Sequence, residues 1–151
     1  MTALSRNRLL LAPFALVLAI AVAPRFAAGA ATDDHEDSPV AQQMDLLKDN
    51  LSALGRTIGE PDKRSESLEH LQTMQLAALS AKVLVPSKEA ELPEAERARF
   101  QSAFRKDMGT LIKALIDVEG LVLDGKFDEA KQAVRSDVLP LRNAGHETYK
   151  D

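Results

Sequence analysis

Two side chains near opposite ends of the sequence, Met44 and His146, are the residues best suited to hold a metal. Methionine offers a soft thioether sulfur and histidine an imidazole nitrogen, and such a pair can bind a haem iron from its two axial sides. They can do so only if the chain folds back and forth until both residues lie at the same end of the molecule. The elements between them therefore decide whether this chemistry is available.

Segments with apolar residues at alternating spacings of three and four follow one another along the chain, and this is the period of bundled helices. In the first segment these residues are Val40, Met44, Leu47, Leu51, Leu54 and Ile58. In the third they are Phe104, Met108, Leu111, Leu115, Val118 and Val122. The pattern predicts helices from Pro39 up to Gly59, from about Ser65 to Val85, from Pro93 to Asp124, and from Phe127 or Asp128 onward.

The second and fourth segments repeat the pattern less regularly. The second carries Leu71, Met74, Ala78, Ala81 and Val85, with Leu68, Leu76, Leu79 and Val83 expected to broaden its apolar face. The fourth carries Ala130, Val134, Val138, Leu141 and His146, and a kink is expected at Pro140. Short connections make neighbouring helices antiparallel, so the sequence predicts an all-α, up-down-up-down four-helix bundle.

The first 30 residues have the features of a cleavable secretory signal peptide. Arg6 and Arg8 form a basic start, an apolar run covers residues 9–23, and Ala28-Gly29-Ala30 supplies a small-residue cleavage pattern. Cleavage after Ala30 and export to the periplasm are predicted. Residues 31–38 are interpreted as a disordered acidic leader and residues 39–151 as one domain.

Charge and cysteine content limit the possible functions of the mature chain. Loss of Arg6, Arg8 and Arg25 with the signal peptide leaves 16 basic against 23 acidic residues, a net charge of −7. An acidic surface argues against nucleic acid and stable membrane association, and it favours a protein partner with a basic patch. The absence of cysteine excludes disulfides and thioether attachment of haem. A monomer is expected.

In the predicted topology, the start of the first helix and the end of the fourth lie at the same end of the bundle. Met44 is five residues from Pro39, about 7.5 Å along the helix, and His146 is four residues from Lys150, about 6 Å. The two side chains should therefore lie at nearly equal depth. The connection between the second and third helices closes this end and adds Val83, Pro86, Phe100 and Phe104.

Each of these residues also has an ordinary structural interpretation. Met44 and the phenylalanines Phe100 and Phe104 are typical core residues, and Arg142 and His146 are typical of a helix surface near a terminus. The shared depth of Met44 and His146 is what favours a haem site. Arg142, one turn before His146, is then placed to contact the haem edge.

No other constellation in the sequence indicates catalysis. There is no nucleophile elbow, no glycine-rich phosphate loop and no pair of facing Glu-x-x-His motifs for a di-iron centre. His70 is interpreted as solvated. His35 could bind copper or zinc loosely with the acidic residues around it in the leader.

The sequence resembles the cytochrome b562 family from about Val40 to Lys150. The resemblance rests on four motifs: Met44 to Leu51 (MDLLKDNL), Phe100-x-x-x-Phe104, Gly125 to Ala130 (GKFDEA) and Arg142 to Lys150 (RNAGHETYK). The last motif is the most specific, and it is combined with a methionine near the other end of the chain.

This resemblance implies a periplasmic four-helix bundle that binds one non-covalent haem b and transfers electrons. Met44 and His146 would be the axial iron ligands. Phe100 and Phe104 would line the haem, and Arg142 would lie beside its edge. An enzymatic activity is not expected. The alternative function is that of a haem-free periplasmic bundle, a partner-binding or stress-response module with an acidic surface and an exposed apolar face.

Overall fold

The computed structural model describes residues 38–149, so the signal peptide and residues 31–37 of the predicted leader lie outside the described residues. Five α-helices are present in this range: α1 Pro39–Thr57, α2 Arg64–Lys82, α3 Glu94–Leu123, α4 Phe127–Ala133 and α5 Leu139–Tyr149. A π-helical turn, Val134–Val138, joins α4 to α5, and the three segments form one continuous fourth rod (127–149). Short 3-10 helices, Pro61–Lys63 and Ser87–Glu91, lie in the connections on either side of α2.

Contacts between neighbouring helices show that the bundle is antiparallel. Between α2 and α3, Gln75 donates to Glu119 at 2.8 Å, and Arg64 donates to the Leu123 carbonyl at 2.6 Å. Residue numbers thus fall along α2 as they rise along α3. Within residues 38–149 there is no strand, and the all-α, up-down-up-down bundle expected from the sequence is confirmed.

The start of α1 follows the local signal in the sequence. The Ser38 hydroxyl accepts a hydrogen bond from the Ala41 amide at 3.1 Å, and Pro39 occupies the first helical position. The hydroxyl satisfies an amide that has no partner within the helix, and the fixed φ of proline suits the first turn. This cap fixes where α1 begins, and Met44 follows five residues after Pro39.

The core follows the predicted seams closely along α3 and less closely along α2. All six apolar residues predicted for α3 are buried, as are Val40, Leu47, Leu54 and Ile58 of the first seam. On α2, however, the expectation that Leu76, Leu79 and Val83 broaden the core face is wrong. These side chains are 60%, 54% and 70% exposed.

The exposed residues of α2 have a simple geometric cause. Leu71, Met74, Ala78 and Ala81 already form the buried stripe, and Leu76, Leu79 and Val83 lie on the outer side of the helix. The helix also ends at Lys82, before the predicted end at Val85, and Val85 is exposed. Among the described residues, no helix combines the length and apolar character needed to cross a bilayer.

The end of α3 is a Schellman turn around Gly125. The Lys126 amide donates to the Leu121 carbonyl at 2.9 Å, and the Gly125 amide donates to the Val122 carbonyl at 3.1 Å. The turn requires a left-handed residue, and Gly125 has a φ of +75°. A side chain at this position would bring its Cβ too close to the following carbonyl.

Replacing Gly125 by alanine should lower the free energy of unfolding by about 1–2 kcal/mol, because alanine is strained at positive φ. Gly120 supplies a matched control: it lies exposed within α3, and a Cβ there would meet nothing within 4 Å. Gly120→Ala should stabilise the protein by up to about 1 kcal/mol, through the higher helix propensity of alanine. Urea denaturation measures both changes, and equal shifts in the two variants would contradict the assigned turn.

The irregularity predicted at Pro140 takes the form of the π-helical turn that precedes it. The Leu139 amide donates to the Val134 carbonyl, a separation of five residues rather than four. Proline has no amide hydrogen, and its ring would clash with the carbonyl four residues earlier in a regular α-helix. The wider turn relieves this clash, and it adds one residue to the path of the rod before Arg142 and His146.

Candidate functional site

The seam between α1 and the fourth rod can be followed from one end to the other. Near the C-terminus of α1, a Cβ on Gly59 would lie 3.1 Å from Cδ of the Lys131 side chain. Nearer the N-terminus of α1, Lys48 and Arg142 face each other across the seam and line the same groove. Lys48 lies eleven residues before Gly59, and Arg142 lies eleven residues after Lys131. The two elements are therefore antiparallel in constant register.

One helical turn beyond this contact lie the two residues that the sequence singled out. Met44 precedes Lys48 by four residues, and His146 follows Arg142 by four, each about 6 Å along its helix. Residues four apart share a helix face, so both side chains continue the faces that meet across the seam. The register supports equal depth for Met44 and His146. Their role as metal ligands remains a prediction.

The two candidate ligands differ in burial. Met44 is partly buried and packs against the core, whereas His146 is exposed on α5. Within residues 38–149, no residue engages the His146 imidazole in a hydrogen bond or ion pair. One thioether and one imidazole are a donor set that fits haem iron.

A groove of about 370 Å³ continues the seam away from Met44 and His146. Its walls come from α1 and the fourth rod: Lys48, Leu51, Ser52, Gly55, Ile58, Lys131, Val134, Arg135, Leu139 and Arg142. The four ionisable residues among them are all cations. The seam between α1 and the fourth rod is therefore partly open, whereas α1 packs closely on α2, and α2 on α3.

Two neighbours of opposite charge act on the pKa of Lys48, which lies at the rim of this groove. Its ammonium donates to the Asp45 carboxylate at 2.7 Å, and this hydrogen bond is the main cause of the raised pKa of Lys48. The guanidinium of Arg142 acts in the opposite direction on the same pKa. Lys48 and Arg142 line the same groove, which places α5 beside α1 at this level.

The predicted aromatic pair lies on α3, and a third ring joins it. Phe104 is buried at 1% exposure, and Phe100 is partly buried one turn earlier. The ring of Tyr149 packs edge to face against both, with centroid distances of 5.2 Å to Phe100 and 5.0 Å to Phe104. The structure thus brings Phe100 and Phe104 together, as predicted, and adds Tyr149 from the last turn of α5.

Tyr149 also makes a polar contact with α3. Its hydroxyl donates to the Asp107 carboxylate at 2.5 Å. The pKa of the Tyr149 phenol is raised, first by burial and then by this hydrogen bond and the negative charge of Asp107. Sequence reasoning missed this residue. Its signal was the spacing of eight residues from Leu141, which is typical of one apolar helix face, and both residues pack against the core.

Other residues expected near the site divide into two groups. Pro86 is buried, as expected, but Val83 is largely exposed and cannot line an apolar slot. The expectation for Val83 is wrong because α2 ends at Lys82, and the Val83 side chain that follows lies on the outside of the bundle. Arg142 is exposed, and its guanidinium donates to the Asn143 amide oxygen at 3.1 Å.

His70 is not the solvated residue that the sequence suggested. Its side chain is only 22% exposed, and Nδ1 lies 2.9 Å from Oδ1 of Asn50 on α1. The amide nitrogen of Asn50 donates to the Leu46 carbonyl, so its oxygen faces the ring and Nδ1 is the donor. His70 therefore ties α2 to α1, far in sequence from the candidate ligands.

Comparison with known proteins agrees with this architecture. The family model described as Cytochrome b562 matches residues 39–150, a range that includes all five residues of the candidate site. No match to a curated protein was found. The match covers well over half of the chain and the whole bundle, and the chain therefore belongs to the cytochrome b562 family, whose members are haem-binding electron-transfer bundles.

Proposed function

We propose that this protein binds one haem b non-covalently through Met44 and His146 and carries single electrons in the periplasm. The observation that carries the proposal is the register of the seam between α1 and the fourth rod. Lys48 faces Arg142, and the candidate ligands lie one turn further along the same two faces. Family membership supports a haem-binding, electron-carrying and periplasmic protein in general.

Each residue of the candidate site has its own role in holding the cofactor. Met44 supplies a partly buried sulfur and His146 an exposed imidazole, one from each side of the seam. Phe100 and Phe104 supply the apolar wall on α3 that excludes water. Arg142 supplies a positive charge beside the haem edge.

Electron transfer is favoured over catalysis by the number of ligands. When bound, the haem supplies one-electron iron chemistry, and a methionine ligand raises its reduction potential. If Met44 and His146 both held the group, they would leave no ligand position for a substrate. A bundle that changes little between oxidation states then suits rapid exchange of an electron.

Surface charge suggests the type of redox partner. The chain has more acidic than basic residues, with a formal net charge of −4 for the full sequence. We therefore expect a partner protein with a basic patch, and an encounter that weakens as salt is added. We expect a monomer, because one chain supplies both Met44 and His146 and needs no second copy to complete the pair.

A second candidate function is supported by the outer face of α2. Leu76, Leu79 and Val83 form an exposed apolar stripe there, and the exposed Ile116 lies on α3, the helix that packs against α2. Such a surface is typical of a protein that binds a partner. A haem-free bundle acting as a partner-binding or stress-response module would use it.

Visible spectroscopy separates the two functions. Haem is added in steps to the purified protein, and the spectrum is recorded oxidised and reduced. Our proposal predicts saturation at one haem per chain, with the sharp bands of a low-spin iron. A spectrum that stays that of free haem throughout the titration would refute it and favour the haem-free function.

A further inference from the structure

The segment that carries His146 is weakly held by the rest of the bundle. None of the residues of α5 is fully buried. Among its described residues, the partly buried hydrophobic side chains packed against the core are Leu141 and Tyr149. Leu141 lies five residues before His146, and Tyr149 lies three residues after it. The imidazole thus lies between two apolar contacts of α5 with the core, one on each side.

The chain just before α5 adds little stiffness. The π-helical turn Val134–Val138 interrupts the regular hydrogen bonding of the rod, and Pro140 contributes no amide donor. Helices bend at prolines and π-helical turns, so the direction of α5 is less constrained here than in a regular helix. The contact at the far end of α5 therefore has a large effect on where the segment lies.

Tyr149 makes that contact in three ways. Its ring packs edge to face on Phe100 and on Phe104, and its hydroxyl donates to Asp107 at 2.5 Å. Edge-to-face pairs stabilise beyond the area they bury, and a hydrogen bond to a carboxylate is stronger than one to a neutral acceptor. All three partners lie on α3, so they fix the end of α5 to a helix that contributes six buried apolar residues to the core.

We infer that Tyr149 is a positioning residue for His146: it fastens the last turn of α5 to α3 and so holds the imidazole at the level of Met44. This inference rests on the proposed function for its effect on haem. The effect on α5 itself does not depend on haem. Tyr149 needs no contact with iron to act in this way.

The opposite role is a clear alternative outcome. Tyr149 covers Phe104, which is 1% exposed, so its ring could instead exclude a haem from the aromatic wall. In that case its removal would strengthen haem binding. The two roles predict changes of opposite sign in one measurement.

The first experiment measures amide hydrogen exchange in the haem-free protein. In Tyr149→Ala, the amides of α5 should exchange about tenfold faster or more, because two aromatic pairs and a hydrogen bond are lost. Amides of α1 and α2 should change little. Thr148→Ala is the matched control, since Thr148 is exposed on the same turn and bonds only its own helix, at the Ala144 carbonyl. Unchanged exchange in α5 would overturn the inference.

The second experiment uses haem-loaded protein. Tyr149→Ala should lose haem about tenfold faster than wild type, with a growing high-spin fraction and a shifted reduction potential, while Thr148→Ala stays at the wild-type values. Tyr149→Phe keeps both ring contacts and should restore most of the low-spin spectrum. Slower haem loss in Tyr149→Ala would establish the excluding role and refute ours.

The two proposals fail in different ways. A wild-type protein that binds no haem refutes the proposed function, and the exchange experiment still decides whether Tyr149 anchors α5. A wild-type protein that binds haem, together with a Tyr149→Ala variant of unchanged spectrum and haem-loss rate, refutes the positioning role alone.

Discussion

His146→Ala should bind haem at least about 100-fold more weakly than the wild-type protein and should lose the sharp low-spin bands. Loss of an axial ligand removes a bond to the iron, and even residues that only orient metal ligands contribute 10–100-fold in affinity. His70→Ala is the matched control, because His70 is tied to Asn50 in the contact between α1 and α2. Titration followed by visible spectroscopy measures both variants.

Met44→Leu should give a complementary result. Leucine preserves most of the volume of methionine, so the fold is expected to change by less than about 1.5 kcal/mol, while the thioether is lost. The iron should become high-spin, and the reduction potential should fall, since methionine ligation raises it. Met74→Leu, at a fully buried position of α2, controls for the packing effect. Identical spectra for wild type, Met44→Leu and His146→Ala would contradict the assigned ligands.

Phe104→Ala should destabilise the haem-free protein by about 3–5 kcal/mol, which is a large part of the stability of a domain of this size. Phe104 is 1% exposed, and its ring is packed by Tyr149 across the α3–α5 contact. Truncation leaves a cavity in the core and removes one of the contacts that hold α5. Urea denaturation of the haem-free protein measures the loss.

Two further variants make this result specific. Phe127→Ala, at a partly buried phenylalanine that begins α4, should cost less, because less of its surface is removed from water. Phe104→Leu should recover most of the stability by refilling the volume. A loss below about 1 kcal/mol in Phe104→Ala would show that the ring is not part of a closely packed core.

The packing of the helices leaves one seam of the bundle less filled than the others. Three seams are closed by buried apolar residues, whereas the seam between α1 and the fourth rod opens into a groove of about 370 Å³. Small residues of α1, Ser52 and Gly55, line the open part and leave room between the helices. The groove runs from Lys48 and Arg142 away from the candidate ligands, which lie one helical turn beyond its end.

The sequence alone determined the helices and most of the core. Period-three-and-four spacing depends only on the geometry of a single helix, so the six buried residues of α3 could be predicted before any fold was known. Local signals were equally reliable, because the Ser38 cap and the Gly125 turn involve residues only a few positions apart. The antiparallel order followed from the short connections.

The tertiary structure decided which of several apolar faces is buried. Leu76, Leu79 and Val83 fit a helical spacing as well as their buried neighbours do, but a helix in a bundle can bury only the faces that meet its neighbours. The same limit applies to His70, whose partial burial depends on Asn50, a residue of another helix.

The candidate site shows the same division. Residue type and sequence position suggested Met44, His146, Phe100, Phe104 and Arg142. Only the folded chain shows that Lys48 faces Arg142 and that Tyr149 contacts α3. Tyr149 contacts residues 42 to 49 positions earlier in the sequence, and Lys48 and Arg142 are 94 positions apart. Local spacing determines a helix, whereas the rotation of one helix against another depends on the packing of the whole bundle.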